Sequence, residues 1–424
     1  MRRRRQSWVV PLGAGLTLVL AACGGSSAQV TVVGGGQARV AVDPADAVAL
    51  PELVAAADAL GLDLLAEAGD ETTVTSPASL QVTLSMAAEG AEGQTLAELE
   101  ALVGASGEDR TDGMNALTGA LDDLDGDPAV VQEDELPETP VVHRAGRVLL
   151  DQSLTARNAF VDVLARSYGA PAETTDLAAD QAQEVLDAWV DEHTGGLVPR
   201  SAISPSPELL LVLQDAIVLA ARWEQPFTGE LTSPHPFALA SGEEVEVDMM
   251  STGGPQSLAY AEVDGWQAVR LPYVGGRLAA EVILPPDGGA PTDLDTPALE
   301  LILDGLDTQG PTDLLLRMPT VDARSALDVL PYLADRAPSS LRGGFDGITD
   351  QPLSVSQVVQ QGVLVIDEEG TVAAAVTEMG MAGSAPVEPP LELTVDRPYL
   401  VRIADGQTGW PLFLAHVADP RGED

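Results

Sequence analysis

Lysine is absent from this chain of 424 residues, and its 21 basic residues are all arginine, against 66 aspartates and glutamates. The formal net charge of -45 argues against a nucleic-acid partner, because nucleic-acid phosphates attract positive charge. Such acidity suits a salty or extracellular setting, where dissolved ions screen the repulsion between like charges. A GC-rich genome would also produce a shortage of lysine, so the composition leaves both origins open.

Cysteine and histidine are scarce as well. Cys23 is the only cysteine, which excludes an internal disulfide, and the four histidines do not have the spacing of a metal site. The sequence contains no nucleophile elbow, phosphate-binding loop or dinucleotide fingerprint, so we predict neither a metal nor a cofactor. A hydrolase whose active site leaves no sequence motif is the alternative that these absences leave open.

The N-terminus reads MRRRRQSWVVPLGAGLTLVLAAC, with four arginines, an apolar stretch and small residues before the cysteine. This order is typical of a secretory signal peptide, and its end resembles a bacterial lipobox. We predict a signal peptide over residues 1–22, lipidation of Cys23, and a flexible, lipid-anchored linker over residues 23–47. The protein would then lie at the extracellular face of the cell membrane, or be secreted if the cysteine stands there by chance.

The rest of the chain, residues 48–424, changes character along its length. Its first half has helical apolar spacing, as in LVAAADALGLDLLAEAG, and its second half has short β-rich runs such as RLAAEVILP. Helices followed mainly by strands predict an α+β domain rather than alternating βα units. A solute-binding lipoprotein, which would place such alternating units in two lobes around a cleft, is the alternative for a lipid-anchored chain.

One stretch, DEEGTVAAAVTEMGMAGSAP at residues 367–386, fits neither a core helix nor an ordinary turn. As a strand it would place only uncharged side chains on the face that begins with Thr371, whereas Glu378 would lie on the other face. Gly370 would allow the backbone to change direction at the start. The pattern therefore indicates an exposed loop that is able to become a buried strand.

The surroundings of this stretch carry a family resemblance. VLVIDEEGTVAAAVT is similar to the hinge of a serpin reactive-centre loop, and DRPYLVRIADGQTGWPLFLAHVADP resembles the C-terminal strands of that family. Other segments match in the family's order from about residue 48 to the end: TSPASLQVTLSMAAEGAEGQTLAEL, LQDAIVLAARWEQPF, AVRLPYVGGRLAAEVILPPDG, FDGIT and LSVSQVVQQGVLVIDEEG. The resemblance implies the serpin fold: one α+β domain with a large central β-sheet, smaller sheets, surrounding helices and an exposed reactive-centre loop at about residues 368–392.

The resemblance also implies a monomeric suicide inhibitor of serine proteases rather than an enzyme. A protease would cleave the loop, remain attached as a covalent acyl complex, and be displaced as the loop enters the central sheet, which is an established example of strand addition. The usual loop length of the family places the scissile bond at Ser384–Ala385, with Met381 or Met379 as alternative bait. The implied hinge residues are Glu368, Glu369, Gly370, Thr371, Val372, Ala373, Ala374, Ala375, Val376 and Thr377.

The residues around the bond indicate the type of protease. Small side chains favour an elastase-like or subtilisin-like target, a methionine would favour a chymotrypsin-like target, and the lack of basic residues disfavours trypsin-like enzymes. A hinge without proline or charge at residues 370–377 favours an active inhibitor. A non-inhibitory serpin acting as a surface binding module is the alternative that keeps the fold.

The resemblance assigns a polar cluster to the opening of the central sheet. This chain departs from the family there, because Asp215 replaces the usual asparagine and Gln360 replaces the usual histidine. Val372 stands where a glutamate is frequent, on the outer face. The implied sheet-opening residues are Ser76, Ser79, Asp215, Trp223 and Gln360.

Overall fold

A computed structural model describes residues 30–34, 38–133, 135–372 and 390–421. The signal peptide and Cys23 lie outside these ranges, and so do loop residues 373–389. The helices of the described residues are α1 (Leu50–Ala68), α2 (Pro77–Ala88), α3 (Gly93–Val103), α4 (Gly107–Gly119), α5 (Asn158–Val163), α6 (Ala182–His193), α7 (Thr296–Thr308) and α8 (Leu330–Arg336).

The strands of the described residues lie mostly in the second half of the chain, as the sequence predicts. They are β1 (Thr31–Gly34), β2 (Thr73–Thr75), β3 (Val141–Asp151), β4 (Ala172–Thr175), β5 (Leu211–Arg222), β6 (Ser233–Ala238), β7 (Glu244–Ser251), β8 (Gln256–Val263), β9 (Trp266–Pro272), β10 (Leu278–Leu284), β11 (Thr312–Pro319), β12 (Val321–Asp328), β13 (Val359–Ile366), β14 (Gly370–Thr371), β15 (Leu391–Thr394), β16 (Tyr399–Asp405) and β17 (Pro411–Val417).

These strands form two sheets in the described part of the chain. The central sheet has seven strands in the order β1-β4-β3-β5-β14-β13-β12. The second sheet has ten strands in the order β2-β17-β16-β10-β9-β8-β11-β7-β6, with β15 joined to β11. The α+β prediction is confirmed, and the alternating βα units of a solute-binding lipoprotein are not the architecture of this chain.

Helices cover both faces of the central sheet. Helix α2 begins after Ser76, whose side chain accepts a hydrogen bond from the Ser79 backbone, and it packs against β5 and β17. Helix α6 lies on the opposite face, where Leu186 packs against Leu149 of β3 and Val212 of β5. Alternate residues of β5 therefore face α2 and α6, because side chains alternate along a strand.

The N-terminal segment is more ordered than the sequence predicts. Within the span predicted to be a flexible linker, β1 pairs antiparallel with β4 at the edge of the central sheet. Arg39 then contacts Asp122 at 3.0 Å and the Thr118 hydroxyl at 2.8 Å. Short β-rich runs are ambiguous without a partner strand, and here β4 supplies it.

Among the helices of the described ranges, none combines the length and apolar character that crossing a bilayer requires.

Candidate functional site

The central sheet is incomplete between β5 and β13. Strand β5 pairs with β3 along one edge over Leu211–Ala220, but its other edge pairs only with β14, at Ala221 and Arg222. Strand β13 pairs with β12 along its length and meets β14 only at Ile366. Below β14, the two facing edges have no strand between them among the described residues. We call this gap the slot.

The slot opens into a cavity of about 510 Å³. One wall comes from α2, including Ser79 and Thr83, and the other comes from α6 and the turn after it, including Trp189 and Val198. The unpaired edge of β5 is long enough for a strand of roughly ten residues, or about 33 Å. Backbone N–H and C=O groups on both edges are available to such a strand. The slot can therefore accept an added strand.

The predicted hinge enters the upper end of the slot. Gly370 pairs with Arg222, and a Cβ atom at Gly370 would lie 2.1 Å from the Ala221 carbonyl oxygen and 2.7 Å from the Leu136 side chain. Only glycine fits so close to the backbone of β5. The sequence attributes this glycine to a change of backbone direction, whereas the structure shows a steric requirement for it.

Thr371 is the second hinge residue in the sheet, and it is 2 % exposed. Its hydroxyl lies 2.5 Å from the hydroxyl of Tyr273, whose ring stacks on Trp223 with 4.5 Å between ring centroids. Burial raises the pKa of Tyr273, so the phenol stays protonated and can donate to Thr371. Trp223 also donates from its indole nitrogen to the Asp367 carbonyl at 2.9 Å. The upper end of the slot is thus closed by neutral hydrogen bonds and aromatic packing.

Asp367 and the first predicted hinge residues form a tight turn. The Asp367 carboxylate accepts hydrogen bonds from the backbone nitrogens of Glu369 at 2.9 Å and Gly370 at 3.1 Å. Glu368 accepts a hydrogen bond from the Thr232 hydroxyl, and its carbonyl accepts one from the Phe227 nitrogen. Both predicted glutamates therefore lie at the entrance to the slot, where these contacts fix the direction of the chain.

Val372 is the last described residue of the predicted hinge. Its φ angle is +61°, in the left-handed region that β-branched residues rarely adopt. Its backbone nitrogen still donates to the Val365 carbonyl at 2.9 Å. The backbone is therefore strained at Val372. The remaining predicted loop residues lie outside the described ranges: Ala373, Ala374, Ala375, Val376, Thr377, Met379, Met381, Ser384 and Ala385.

The lower part of the slot contains the predicted polar cluster. Gln360 of β13 donates to the Ser76 carbonyl at 2.7 Å and accepts from the Ser76 nitrogen at 3.1 Å and the Thr75 hydroxyl at 2.5 Å. Ser79 donates to the backbone carbonyl of Asp215 at 3.3 Å. The structure thus brings together four of the five predicted sheet-opening residues, and Trp223 lies apart at the upper end.

Asp215 is the least satisfied member of this cluster. Its side chain is 0 % exposed and lies 3.2 Å from the Arg144 guanidinium, an ion-pair contact beyond which neither carboxylate oxygen has a hydrogen-bond partner in the described residues. Burial raises the pKa of Asp215 to about 6, against the opposing attraction of Arg144. At neutral pH the slot therefore contains a buried, poorly paired negative charge.

Sequence reasoning missed Tyr273, Arg144 and Thr75 as members of the site. Tyr273 is about 100 residues before Thr371 in the chain and reaches it only because Trp223 and Tyr273 form a bridge between the two sheets. Arg144 meets Asp215 because β3 and β5 pair in a register that places Gly146 beside Asp215. Nothing in the local sequence around these residues indicates such pairing.

Comparisons with known proteins agree with this geometry. Residues 55–420 match the family model described as Serpin (serine protease inhibitor). The alpha-1-antitrypsin-like protein GS55-MS of Ictidomys tridecemlineatus is 27% identical over 423 residues, covering 98% of each chain, and Serpin-Z3 of Arabidopsis thaliana is 27% identical over 382 residues, covering 83% of this chain and 92% of its own. The crystal structure of the thermophilic serpin tengpin in the native state superposes with a TM-score of 0.75 at 19% identity, covering 90% of this chain and 96% of its own.

Proposed function

This chain belongs to the serpin family, and from that premise we propose that it is a suicide inhibitor of serine proteases, not an enzyme, that works by inserting its cleaved loop into the slot. The observation that supports this most directly is the open slot, with Gly370 and Thr371 already paired at its upper end. A sheet with two facing unpaired edges has room for a further strand, and the loop sequence that follows Thr371 is the natural candidate.

The chemistry of trapping comes from the target protease. Its serine attacks the carbonyl of Ser384, the peptide bond to Ala385 breaks, and the new N-terminus at Ala385 leaves while the protease remains as an ester on Ser384. The freed loop then adds to the slot one residue at a time below Thr371. About fifteen residues at roughly 3.3 Å each would move the attached protease about 50 Å, which distorts its active site before water completes the hydrolysis.

The loop sequence sets the target class. Small uncharged residues around Ser384–Ala385 fit the shallow apolar pocket of elastase-like or subtilisin-like proteases, and cleavage at Met381 or Met379 would instead fit a chymotrypsin-like enzyme. The protein acts as a monomer and binds its target through a covalent acyl complex, without metal, cofactor or nucleic acid.

The N-terminus sets the location. Lipidation of Cys23, after removal of residues 1–22, holds the inhibitor at the extracellular face of a bacterial membrane. The short apolar stretch before a small-residue cleavage motif supports this assignment. Metabolic labelling with a palmitate analogue tests it: wild-type protein should carry the label, and C23A should not. Label in C23A, or none in wild type, would contradict the anchor.

Inhibition is tested by mixing the purified protein with pancreatic elastase and with subtilisin, followed by denaturing gels and mass spectrometry. We expect a band at the summed mass of the two proteins and a released peptide that begins at Ala385. If the loop is cleaved without a stable complex, the melting temperature of the cleaved product is measured. A large rise would keep loop insertion and indicate another target protease, whereas no rise would favour a non-inhibitory binding module.

A further inference from the structure

Two of the four histidines meet where α6 lies on the central sheet. His143 of β3 contacts His193, the last residue of α6, with 3.1 Å between its Nε2 and the Nδ1 of His193. The other ring nitrogen of His143 lies 2.9 Å from the Asp125 carboxylate. The sequence did not predict this pairing, because the two histidines are fifty positions apart and only the docking of α6 on β3 joins them.

The geometry of the pair fits a shared proton. The two ring planes differ by only 12°. The ring centroids lie 5.4 Å apart, which is close to the largest centroid separation that two imidazole rings can have when their nitrogens are 3.1 Å apart. The two nitrogens therefore point directly at each other. A zinc ion between them would need about 4 Å, since each zinc–nitrogen bond is about 2.0–2.1 Å. Within the described residues, no group of three or more potential ligands could hold a metal ion.

The hydrogen-bond chain fixes the proton positions. His143 donates from Nδ1 to Asp125, so when neutral it has a lone pair at Nε2, which accepts the Nδ1 proton of His193. A first added proton binds Nε2 of His193 and leaves this contact intact. A second must bind Nε2 of His143, where two N–H groups would then face each other and break the contact. The contact therefore cannot persist when both rings are protonated.

The charges around the pair come from several elements. Asp125, Glu192 of α6 and Glu173 of β4 attract protons to it, whereas Arg147 of β3 repels them. Burial lowers the pKa of His193, and the neighbouring His143 lowers it further. A lowered pKa in the docked state means that the detached state binds more protons. Detachment of α6 therefore becomes more favourable as the pH falls below about 6.5, the ordinary pKa of histidine.

The docked end of α6 also covers the slot. Trp189 and Val190 of α6, with Leu197 and Val198 after it, line the cavity on the face opposite α2. A strand added between β5 and β13 would point alternate side chains toward this face. The position of the α6 end therefore affects how readily the slot accepts these side chains, because α6 lines the cavity on the face that they would enter. The His143–His193 contact ties this end to β3.

We propose that His143 and His193 form a pH-sensitive clamp, which holds α6 over the slot at neutral pH and releases it on acidification, so that the slot widens more readily. The effect of the clamp on loop insertion rests on the proposed function, because a wider slot matters only if the loop inserts. The clamp itself is a statement about α6 and is measured without any protease.

Hydrogen–deuterium exchange of the full-length protein tests the clamp. After correction for the intrinsic pH dependence, we expect amides in residues 186–198 to exchange about tenfold faster at pH 5 than at pH 7.5, the factor that one unit of pKa coupling produces. In His193→Gln the ratio should fall to about one, because a glutamine amide can donate to neutral His143 or accept from charged His143. His143→Gln serves as the second variant if the first does not fold.

His235→Gln is the matched control, since His235 is exposed on β6 and should leave the tenfold ratio unchanged. Equal exchange at both pH values in wild type would overturn the clamp, and so would a tenfold ratio that persists in His193→Gln or, where that variant does not fold, in His143→Gln. Protease trapping by a protein without the pH response would keep the proposed function and reject the clamp. A pH response in a protein that traps no protease would support the clamp and count against the proposed function.

Discussion

The two ends of the slot are built from different chemistry. At the upper end, Gly370 and Thr371 join β5 to β13, and the buried Thr371 hydroxyl meets the Tyr273 phenol. In the lower part the same two strands stand apart, and Asp215 lines the cavity between them, with its carboxylate 3.2 Å from the Arg144 guanidinium. Among the described residues, one end is therefore a continuous sheet with hydrogen-bonded neutral groups, and the other is a gap between two strands with a buried charge.

For the proposed loop insertion, this difference predicts where strand addition would begin and which part of the slot would gain most from it. A strand that is already paired at one end needs no further nucleation, because each added residue finds two prepared edges. The lower part gains the most from filling, since empty space and unpaired polar groups both destabilise a protein interior. The following four changes break or sharpen this contrast, in order of expected effect.

Placing a charge at the upper end should have the largest effect. Thr371→Arg would bury an unpaired guanidinium among Tyr273, Trp223 and β5, at a cost of several kcal/mol. We expect the ratio of covalent complex to cleaved inhibitor, measured on denaturing gels, to fall at least about 100-fold. Thr371→Val, which has the same shape and no charge, is the matched control and should still trap protease. Normal trapping by the arginine variant would show that an uncharged side chain at this position is not required for loop insertion.

Removing the charge from the lower part should stabilise the uncleaved protein. The pKa of Asp215 is raised to about 6 from 3.8, so the native state binds this proton more tightly than the unfolded state does. The protonated Asp215 side chain therefore adds to the free energy of unfolding at low pH, and this contribution is lost as the pH rises from about 4 to 6. The loss is about 1.4 kcal/mol for each unit by which the folded pKa exceeds the unfolded pKa. Asp215→Asn should raise the unfolding free energy by about 2–3 kcal/mol at pH 7.5, and by little at pH 4.

Thermal melts at the two pH values measure this effect. Asp313→Asn, at an exposed position of β11, controls for the general loss of one negative charge. An Asp215→Asn variant that is less stable at pH 7.5 than wild type would mean that the Arg144 contact outweighs the burial of the carboxylate.

Relieving the strain at the exit should have a smaller effect. Val372 adopts a φ of +61°, which costs a β-branched residue about 1–3 kcal/mol, whereas an inserted strand would be extended and unstrained. Glycine adopts this φ without strain. It reduces the free energy of unfolding by about 0.5–1 kcal/mol, however, because it loses more conformational entropy on folding than other residues do. Val372→Gly should therefore stabilise the uncleaved protein by about 1–2 kcal/mol in denaturant unfolding. Val372→Ala is the control for shortening the side chain, and an equal gain there would argue against strain.

Weakening one hydrogen bond at the upper end should have the smallest effect. Tyr273→Phe keeps the ring on Trp223 and removes the hydroxyl that meets Thr371, which should cost about 1 kcal/mol. A double-mutant cycle with Thr371→Val measures the interaction between the two hydroxyls. Once Thr371→Val has removed one hydroxyl, Tyr273→Phe should reduce the free energy of unfolding only a little further. Additive losses in the unfolding free energy would show that the two hydroxyls do not interact.

Much of the fold and part of the site could be predicted from the sequence. Local periodicity and capping predicted the α+β class and a serine-capped helix at α2. The family resemblance implied that β5 ends at Trp223 and that α2, with Ser76, lies beneath the sheet. The β1 strand was missed, since a short run forms a strand only where β4 offers an edge. Tyr273, Arg144 and the His143–His193 contact were also missed, because each joins segments distant in the chain.

The sequence by itself determined the composition of the loop. The small, uncharged residues around Thr371 can be buried without a large energetic cost. Asp215 puts a carboxylate on the central strand, whatever the position of that strand in the fold. Only the tertiary structure decided that Gly370 and Thr371 pair within the sheet, that β5 and β13 stand apart below them, and that α6 covers the gap. The physical reason is that composition fixes which states a segment can tolerate. Which state it occupies depends on the edges and cavities that distant segments create.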